Sequence, residues 1–255
     1  MSIELTTIWI LSVMLLTVRL GIVFYSTPLY SYAPVPAQVK VVFVVALSAI
    51  LLLGAAPSSN GLILKPAFLL KGVLAEVLIG MVLAFSVQIV FAAFQWGGRV
   101  MDMQMGFSVA NLIDPSTRTQ APMMGTILSA AALMLFYALD GHHLLMKGLA
   151  FSIRAVPPGS IVSLDDPMLI VGQFGMIFTY GLMAVAPVVF ALTMIDMVIA
   201  VAARTMPQMN VFFVGLPIKI FVGLLVFATT VRFMMPFMEK VFKTMFMNWH
   251  LVLAG

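Results

Sequence analysis

The sequence predicts an all-α integral membrane protein made of kinked helical hairpins that pack in a larger assembly. Its residues are 63% hydrophobic and only 9% charged, whereas about 25% of the residues of an average soluble domain are charged. A bilayer crossing needs about 20 apolar residues, and four charge-free runs reach that length, at 41–64, 77–98, 119–139 and 167–195. The bilayer, or the interior of a multi-subunit assembly, must therefore surround most of this chain.

The first apolar segment is predicted to remain in the mature protein. A secretory signal peptide carries positive charge before its apolar stretch, but here Glu4 comes first and Arg19 lies inside the run. Five further apolar segments follow along the chain. The six segments have the approximate bounds Thr7–Tyr25, Val39–Ala56, Ala67–Trp96, Pro122–Leu139, Met168–Ala203 and Val211–Pro236.

Three of these segments are irregular. The third contains the ionisable Glu76, the fifth contains Pro187, and the sixth is interrupted by Pro217 and carries Lys219. A proline inside a membrane helix removes a backbone donor and kinks the helix, and an ionisable group at membrane depth usually faces protein or water. We therefore expect Pro187, Pro217 and Lys219 to act in helix breaks and packing.

The charges identify neither a nucleic-acid surface nor a strong membrane orientation. The net charge of +4 comes from scattered basic residues, without the clustering that nucleic-acid binding requires. With six spans, the distribution of Lys and Arg favours cytoplasmic termini by a small margin.

The central segment Gly98–Pro122 is polar and lies between two long apolar runs. Gly97-Gly98 at its start and Gly106 within it are predicted to add backbone freedom. A short apolar piece at Phe107–Ile113 and a turn signal at Asp114-Pro115 follow. Such a segment fits neither a lipid-facing helix nor a short turn, so we expect it to pack inside a protein or a pore. Its charged residues are Arg99, Asp102, Asp114 and Arg118.

Methionine is abundant, at 22 residues, and Met101, Met103 and Met105 alternate at the start of the central segment. An unbranched, polarizable side chain fills irregular gaps and adapts to changing partners. Two interpretations stay open for this triplet: ordinary apolar packing in place of leucine, or an adaptable seal in a pore.

Several acidic residues lie in or near the apolar runs and allow two interpretations. They are either titrating groups of a self-contained secondary transporter or channel, or partners of Arg and Lys side chains within the chain or its neighbours. The acids concerned are Glu76, Asp102, Asp114 and Asp196, and the transporter interpretation also uses Arg19.

The motif Asp140-Gly141-His142-His143 is the one candidate for a metal site. Adjacent histidines diverge on a helix, a zinc site wants a third ligand nearby, and the chain has no cysteine. We therefore interpret Asp140, Gly141 and His142 as a helix break at the membrane boundary and expect neither metal nor cofactor. A membrane enzyme built on Asp140 and His142 is the less favoured alternative, and no nucleophile motif supports one elsewhere.

Several short motifs across the centre of the chain resemble the FliR/SctT family, the export-gate subunit of flagellar and virulence type III secretion systems. The order and spacing of these central motifs match the family, and two further pieces fit its C-terminal half. The matching pieces are Met103–Ser108, Asp114-Pro115, Phe136–His142, Ser152 and Pro157–Gly159, with Met206–Gln208 and Gly215–Pro217 after them.

The resemblance implies a non-enzymatic gate subunit in the bacterial inner membrane, at the flagellar basal body or in the related virulence system. It implies a FliP-like part over about residues 1–165 and a FliQ-like hairpin with a tail over about 166–255. The chain would assemble helically with FliP-like, FliQ-like and FlhB-like subunits to pass unfolded export substrates. The loop 106–122 would plug the closed channel. The plug residues carried over are Met103, Met105, Gly106, Phe107, Asp114, Pro115 and Arg118.

Overall fold

The computed structural model describes residues 2–28, 35–54, 66–107, 122–160, 167–206 and 211–254. Within these ranges the chain forms seven α-helices and no strand, so the all-α prediction is confirmed. The helices are α1 (Ser2–Ser26), α2 (Ala37–Leu53), α3 (Pro66–Met105), α4 (Met123–Ala138), α5 (Gly141–Ala155), α6 (Pro167–Thr205) and α7 (Val211–Ala254).

Four of these helices are long and apolar enough to cross a membrane: α1, α3, α6 and α7. The number becomes five if α4 and α5, which flank Asp140, are counted as one broken span. Helix α2 has only 17 residues and falls below that length. The membrane class is thus confirmed, but the six apolar segments of the sequence do not correspond to six long helices.

Two helix boundaries differ from the prediction. Helix α3 continues past Trp96 to Met105, so the glycines after Trp96 lie inside a helix and do not end it. Helix α7 continues through Pro217 and Pro236 as one element of 44 residues, so the predicted interruption at Pro217 is wrong. A proline removes a single backbone hydrogen bond, and in an apolar environment the helix retains all the others.

Helix α5 was not among the predicted apolar segments because it is amphipathic and carries Lys147 and Arg154 on its exposed side. Its buried positions Leu145, Leu149 and Ser152 follow the spacing of one helical face. The apolar content is therefore concentrated on a stripe rather than spread over a charge-free run.

The chain divides into two compact units according to its internal contacts. Helices α3, α6 and α7 each contribute residues to both units. In the first unit, Leu16, Leu20 and Leu149 are fully buried. The C-terminal Trp249 packs so closely on α5 that a Cβ added at Gly148 would lie 2.6 Å from the indole ring. This unit comprises Met1–Gln88, Asp140–Gln173 and Lys243–Gly255.

The second unit is centred on aromatic side chains. Phe136 packs edge-on against Phe91 and Phe242, with ring centroids 6.1 and 5.2 Å apart. Helices α3 and α6 approach closely where a Cβ added at Gly97 would lie 2.6 Å from the carbonyl oxygen of Gly181. The unit comprises Ile89–Leu139 and Phe174–Phe242, and it contains both ends of the central segment.

Candidate functional site

The site begins where α3 ends, at the N-terminal end of the predicted plug. Gly106 has a φ of 84°, and its N–H donates to the carbonyl oxygen of Met103 at 3.2 Å. A glycine in this left-handed conformation is a common helix terminator. Phe107 follows and is partly buried. The predicted plug residues Asp114, Pro115 and Arg118 lie outside the described residues.

The side chain of Asp102 joins this end of α3 to the start of α4. Its Oδ1 accepts a hydrogen bond from the backbone N–H of Met124 at 3.0 Å, and its Oδ2 accepts one from Gly125 at 3.3 Å. The first turn of a helix has free N–H groups and a partial positive charge. Pro122, the N-cap residue, supplies no side-chain bond. A buried carboxylate from another helix, 5% exposed, thus caps α4.

The backbones of the two helices also touch next to this cap. A Cβ added at Gly98 would lie under 3.0 Å from the backbone of Met124 and Gly125, which is closer than real Cβ contacts come. The sequence suggested that Gly97-Gly98 loosens the backbone. The structure shows instead that Gly98 allows close helix packing. Together, Asp102 and Gly98 fix both ends of the central segment side by side.

The three alternating methionines have different environments. Met101 and Met105 are fully buried, whereas Met103 is 69% exposed. The end of Met105 lies against α7, where a Cβ added at Gly223 would be 2.6 Å from its methyl group. Met101 and Met105 therefore fill the interior of the second unit. Met103 is the member of the triplet that is available to contact other molecules.

A cavity of about 410 Å³ borders the end of α3 within the second unit. Its wall carries one ion pair, between Lys219 of α7 and Asp196 of α6, whose side chains are 23% and 40% exposed. The lysine in the apolar run thus has an acidic partner within the chain, as ionisable groups at membrane depth usually do. The remaining lining comes from Met103–Gly106 of α3, from Ile199, Ala200 and Ala203 of α6, and from Gly215 and Leu216 of α7.

The acids proposed for a transporter relay are all engaged where the structure describes them. Glu76 pairs with Arg19 at 2.6 Å in the first unit, Asp102 caps α4, and Asp196 pairs with Lys219. Asp114 lies outside the described residues. Glu76 and Asp196 thus match the interpretation of these acids as partners of Arg and Lys side chains. Asp102 differs, because it binds backbone N–H groups instead.

At the Asp140 motif the chain turns between two helices. Asp140 has a left-handed φ of 55° and precedes α5, and its Oδ1 lies 3.3 Å from His143 Nδ1. The ligand atoms of Asp140, His142 and His143 lie within 4.8 Å of one another. They are therefore closer together than we expected for adjacent histidines on a helix. Asp140 and His143 are exposed.

Pro187, which the sequence predicted to act in a helix break, lies exposed inside the unbroken helix α6.

Known proteins resemble this chain along most of its length. The sequence model of the family "Bacterial export proteins, family 1" matches residues 10–245. The chain is 30% identical to "Flagellar biosynthetic protein FliR" of Bacillus subtilis over 234 residues, which are 90% of each chain. It is 29% identical to the protein of that name from Escherichia coli over 224 residues, covering 87% of this chain and 84% of the relative.

The matched residues 10–245 include parts of both units. The match also agrees with the helices that are long enough to cross a membrane. Structure and similarity therefore favour a non-enzymatic export component over the self-contained transporter. The chain belongs to the FliR/SctT family of bacterial export proteins, and it is a membrane-embedded export-gate subunit of the flagellar type III secretion apparatus.

Proposed function

We propose that this chain forms part of the inner-membrane conduit for unfolded export substrates, and that its segment 106–122 plugs the conduit when the gate is closed. The observation that supports this role is the Asp102 cap, which holds the ends of α3 and α4 together in the second unit. The two ends of the segment are thus held at one point of the second unit, which gives the segment a firm base. Such a base is what a movable seal requires.

The proposed plug residues have distinct tasks in this arrangement. Met105 and Gly106 belong to the base, because Met105 is buried and Gly106 ends α3. Met103 and Phe107 provide apolar contacts at the edge of the base. The remaining proposed plug residues, Asp114, Pro115 and Arg118, lie outside the described residues.

The plug needs walls, and we propose that FliP-like and FliQ-like subunits supply them, with an FlhB-like subunit on the cytoplasmic side. The long helices α6 and α7 favour such partners, since only 22% and 17% of their most apolar windows are buried within the chain. In this assembly about residues 1–165 act as a FliP-like part and about 166–255 as a FliQ-like hairpin with its tail, at the basal body.

The plug is tested by replacing residues 107–120 with a glycine–serine linker of equal length. The chain keeps its Asp102 cap, so we expect assembly to persist while ions leak across the inner membrane. The control replaces residues 55–65, the connection between α2 and α3, in the same way. A tight membrane and normal secretion in the 107–120 variant would rule out the plug.

A further inference from the structure

The first unit contains two opposite charges that have no contact with solvent. Arg19 of α1 and Glu76 of α3 are both 0% exposed. The Nε of Arg19 donates to Oε2 of Glu76 at 2.6 Å, and Nη2 donates to Oε1 at 3.0 Å. Two parallel bonds of this kind fix the relative orientation of the two side chains as well as their distance.

The same pair also binds the backbone at the end of α5 and in the turn after it. Nη1 of Arg19 donates to the carbonyl oxygen of Ser152 at 3.1 Å, and Nη2 donates to that of Val156 at 3.0 Å. On the other side, the N–H of Gly159 donates to Oε1 of Glu76 at 2.8 Å. One ion pair thus holds three parts of the chain: α1, α3 and the turn Val156–Gly159.

The contacts around the pair have a fixed direction. A guanidinium has only donors and an ionised carboxylate has only acceptors. Here both backbone carbonyls face Arg19 and the backbone N–H faces Glu76. Exchanging the two residues would keep the charge pair. However, the carboxylate would then face the two carbonyl oxygens and the guanidinium would face the N–H of Gly159, so none of the three backbone contacts could form. Gly159 has a φ of 80°, so the turn itself also depends on a residue that accepts this conformation.

Each charge lies within a helix that is long and apolar enough to cross a membrane, Arg19 within 7–26 and Glu76 within 69–105. An isolated charge in such a helix is costly, and pairing inside the protein removes much of that cost. Neither helix is therefore suited to the bilayer without the other. The first unit therefore needs the Arg19–Glu76 pair in order to form.

We propose that Arg19 and Glu76 are positioning residues that fasten the turn Val156–Gly159 to α1 and α3. The chain needs this fastening to enter the export apparatus. The pair takes no part in moving protons or substrates. The inference concerns the first unit and is independent of the plug.

The test uses the full-length chain in cells that carry the rest of the apparatus. Four variants are compared: Arg19→Met, Glu76→Gln, the double variant Arg19→Met/Glu76→Gln, and the exchange Arg19→Glu/Glu76→Arg. The matched control is Arg154→Met, which removes an exposed arginine from α5. Two quantities are measured: the amount of chain that co-purifies with the apparatus, and secretion per assembled complex.

A local readout separates fastening of the turn from general loss of protein. Because the chain has no cysteine, Val156→Cys introduces the sole thiol at a position that is 7% exposed. Its labelling by a thiol reagent in membranes reports whether the turn is packed. We expect slow labelling in the otherwise unchanged chain and in the Arg154→Met control. Fast labelling is expected in both single variants.

Leaving one buried charge unpaired is strongly destabilising, whereas removing both charges is much less so. We therefore expect each single variant to lower co-purification by about tenfold or more. The double variant is expected to recover part of that loss, because no buried charge is left unpaired and its glutamine still accepts from Gly159. The recovery stays incomplete, because the carbonyl oxygens of Ser152 and Val156 lose their donor. The exchange variant is expected to stay as poor as the single variants, because its backbone contacts are reversed.

Three results would overturn the proposal. Single variants that assemble normally and keep the thiol protected would show that the fastening is not needed. An exchange variant that assembles like the unchanged chain would show that direction does not matter. A double variant that assembles fully but secretes nothing would show that the charges act in transport. None of these measurements depends on ion leak, the readout of the plug.

Discussion

Removing the carboxylate of Asp102 is predicted to loosen the base of the central segment and to destabilise the second unit. The side chain is 5% exposed and accepts from the backbone N–H groups of Met124 and Gly125. A buried donor left without a partner costs about 1–3 kcal/mol. With two such donors, Asp102→Ala is expected to lower the free energy of unfolding by about 2–6 kcal/mol.

Asp102→Asn is expected to cost about half as much, roughly 1–3 kcal/mol, because the amide keeps one acceptor oxygen and turns an N–H₂ group toward the second donor. Asp196→Asn is the matched control, since it removes a carboxylate that is 40% exposed in the same unit. An ion pair with that exposure contributes about 0–1 kcal/mol.

The assay is thermal denaturation of the purified assembled complex, followed by the fraction of chain that remains intact and soluble. A change of 1 kcal/mol shifts the Tm of a chain of this size by about 2–4 °C. Asp102→Ala is thus expected to lower the Tm by at least about 4 °C, with Asp102→Asn between it and the control. If Asp102→Ala and Asp196→Asn shift the Tm by the same small amount, the Asp102 cap does not hold the base and the reasoning fails.

Three further predictions use the same assay with internal controls. Met105→Ala is expected to cost about 2–5 kcal/mol through the cavity that it leaves, whereas exposed Met103→Ala costs little; equal losses would contradict the assigned burial. Gly98→Ala is expected to destabilise because its Cβ would meet backbone, whereas Gly21→Ala, with nothing within 4 Å, is tolerated. Asp140 has a φ of 55°, so Asp140→Gly is expected to be neutral or stabilising and Asp140→Val to lower the free energy of unfolding by about 1–2 kcal/mol. The reverse order would exclude backbone strain at this residue.

Hydropathy predicted most of the helices because each long helix is strongly apolar on average, even where it contains a charge such as Arg19. It missed α5, whose apolar residues form one stripe beside Lys147 and Arg154. A search for apolar residues at helical spacing, such as Leu145 and Leu149, would have found it. Hydropathy also placed an interruption at Pro217, although a single lost backbone bond does not end a long apolar helix.

The sequence alone could not predict which groups the buried charged side chains bind. Arg19 and Glu76 are 57 positions apart, and the carboxylate of Asp102 binds N–H groups more than 20 positions away. No local spacing encodes such pairs, because they result from how helices pack. For the same reason, Gly98 gave only a signal of flexibility, and its role in close packing became visible through the helix that lies against it.

The three buried charged side chains of the described residues, Arg19, Glu76 and Asp102, share one feature: each binds backbone groups where a helix begins or ends or in the turn that follows it. Arg19 and Glu76 hold the turn after α5, and Asp102 holds the start of α4. Such backbone groups lack partners within their own helix, and lipid offers none. These side chains supply the missing partners, and the two buried acids Glu76 and Asp102 are thereby both bound within the chain.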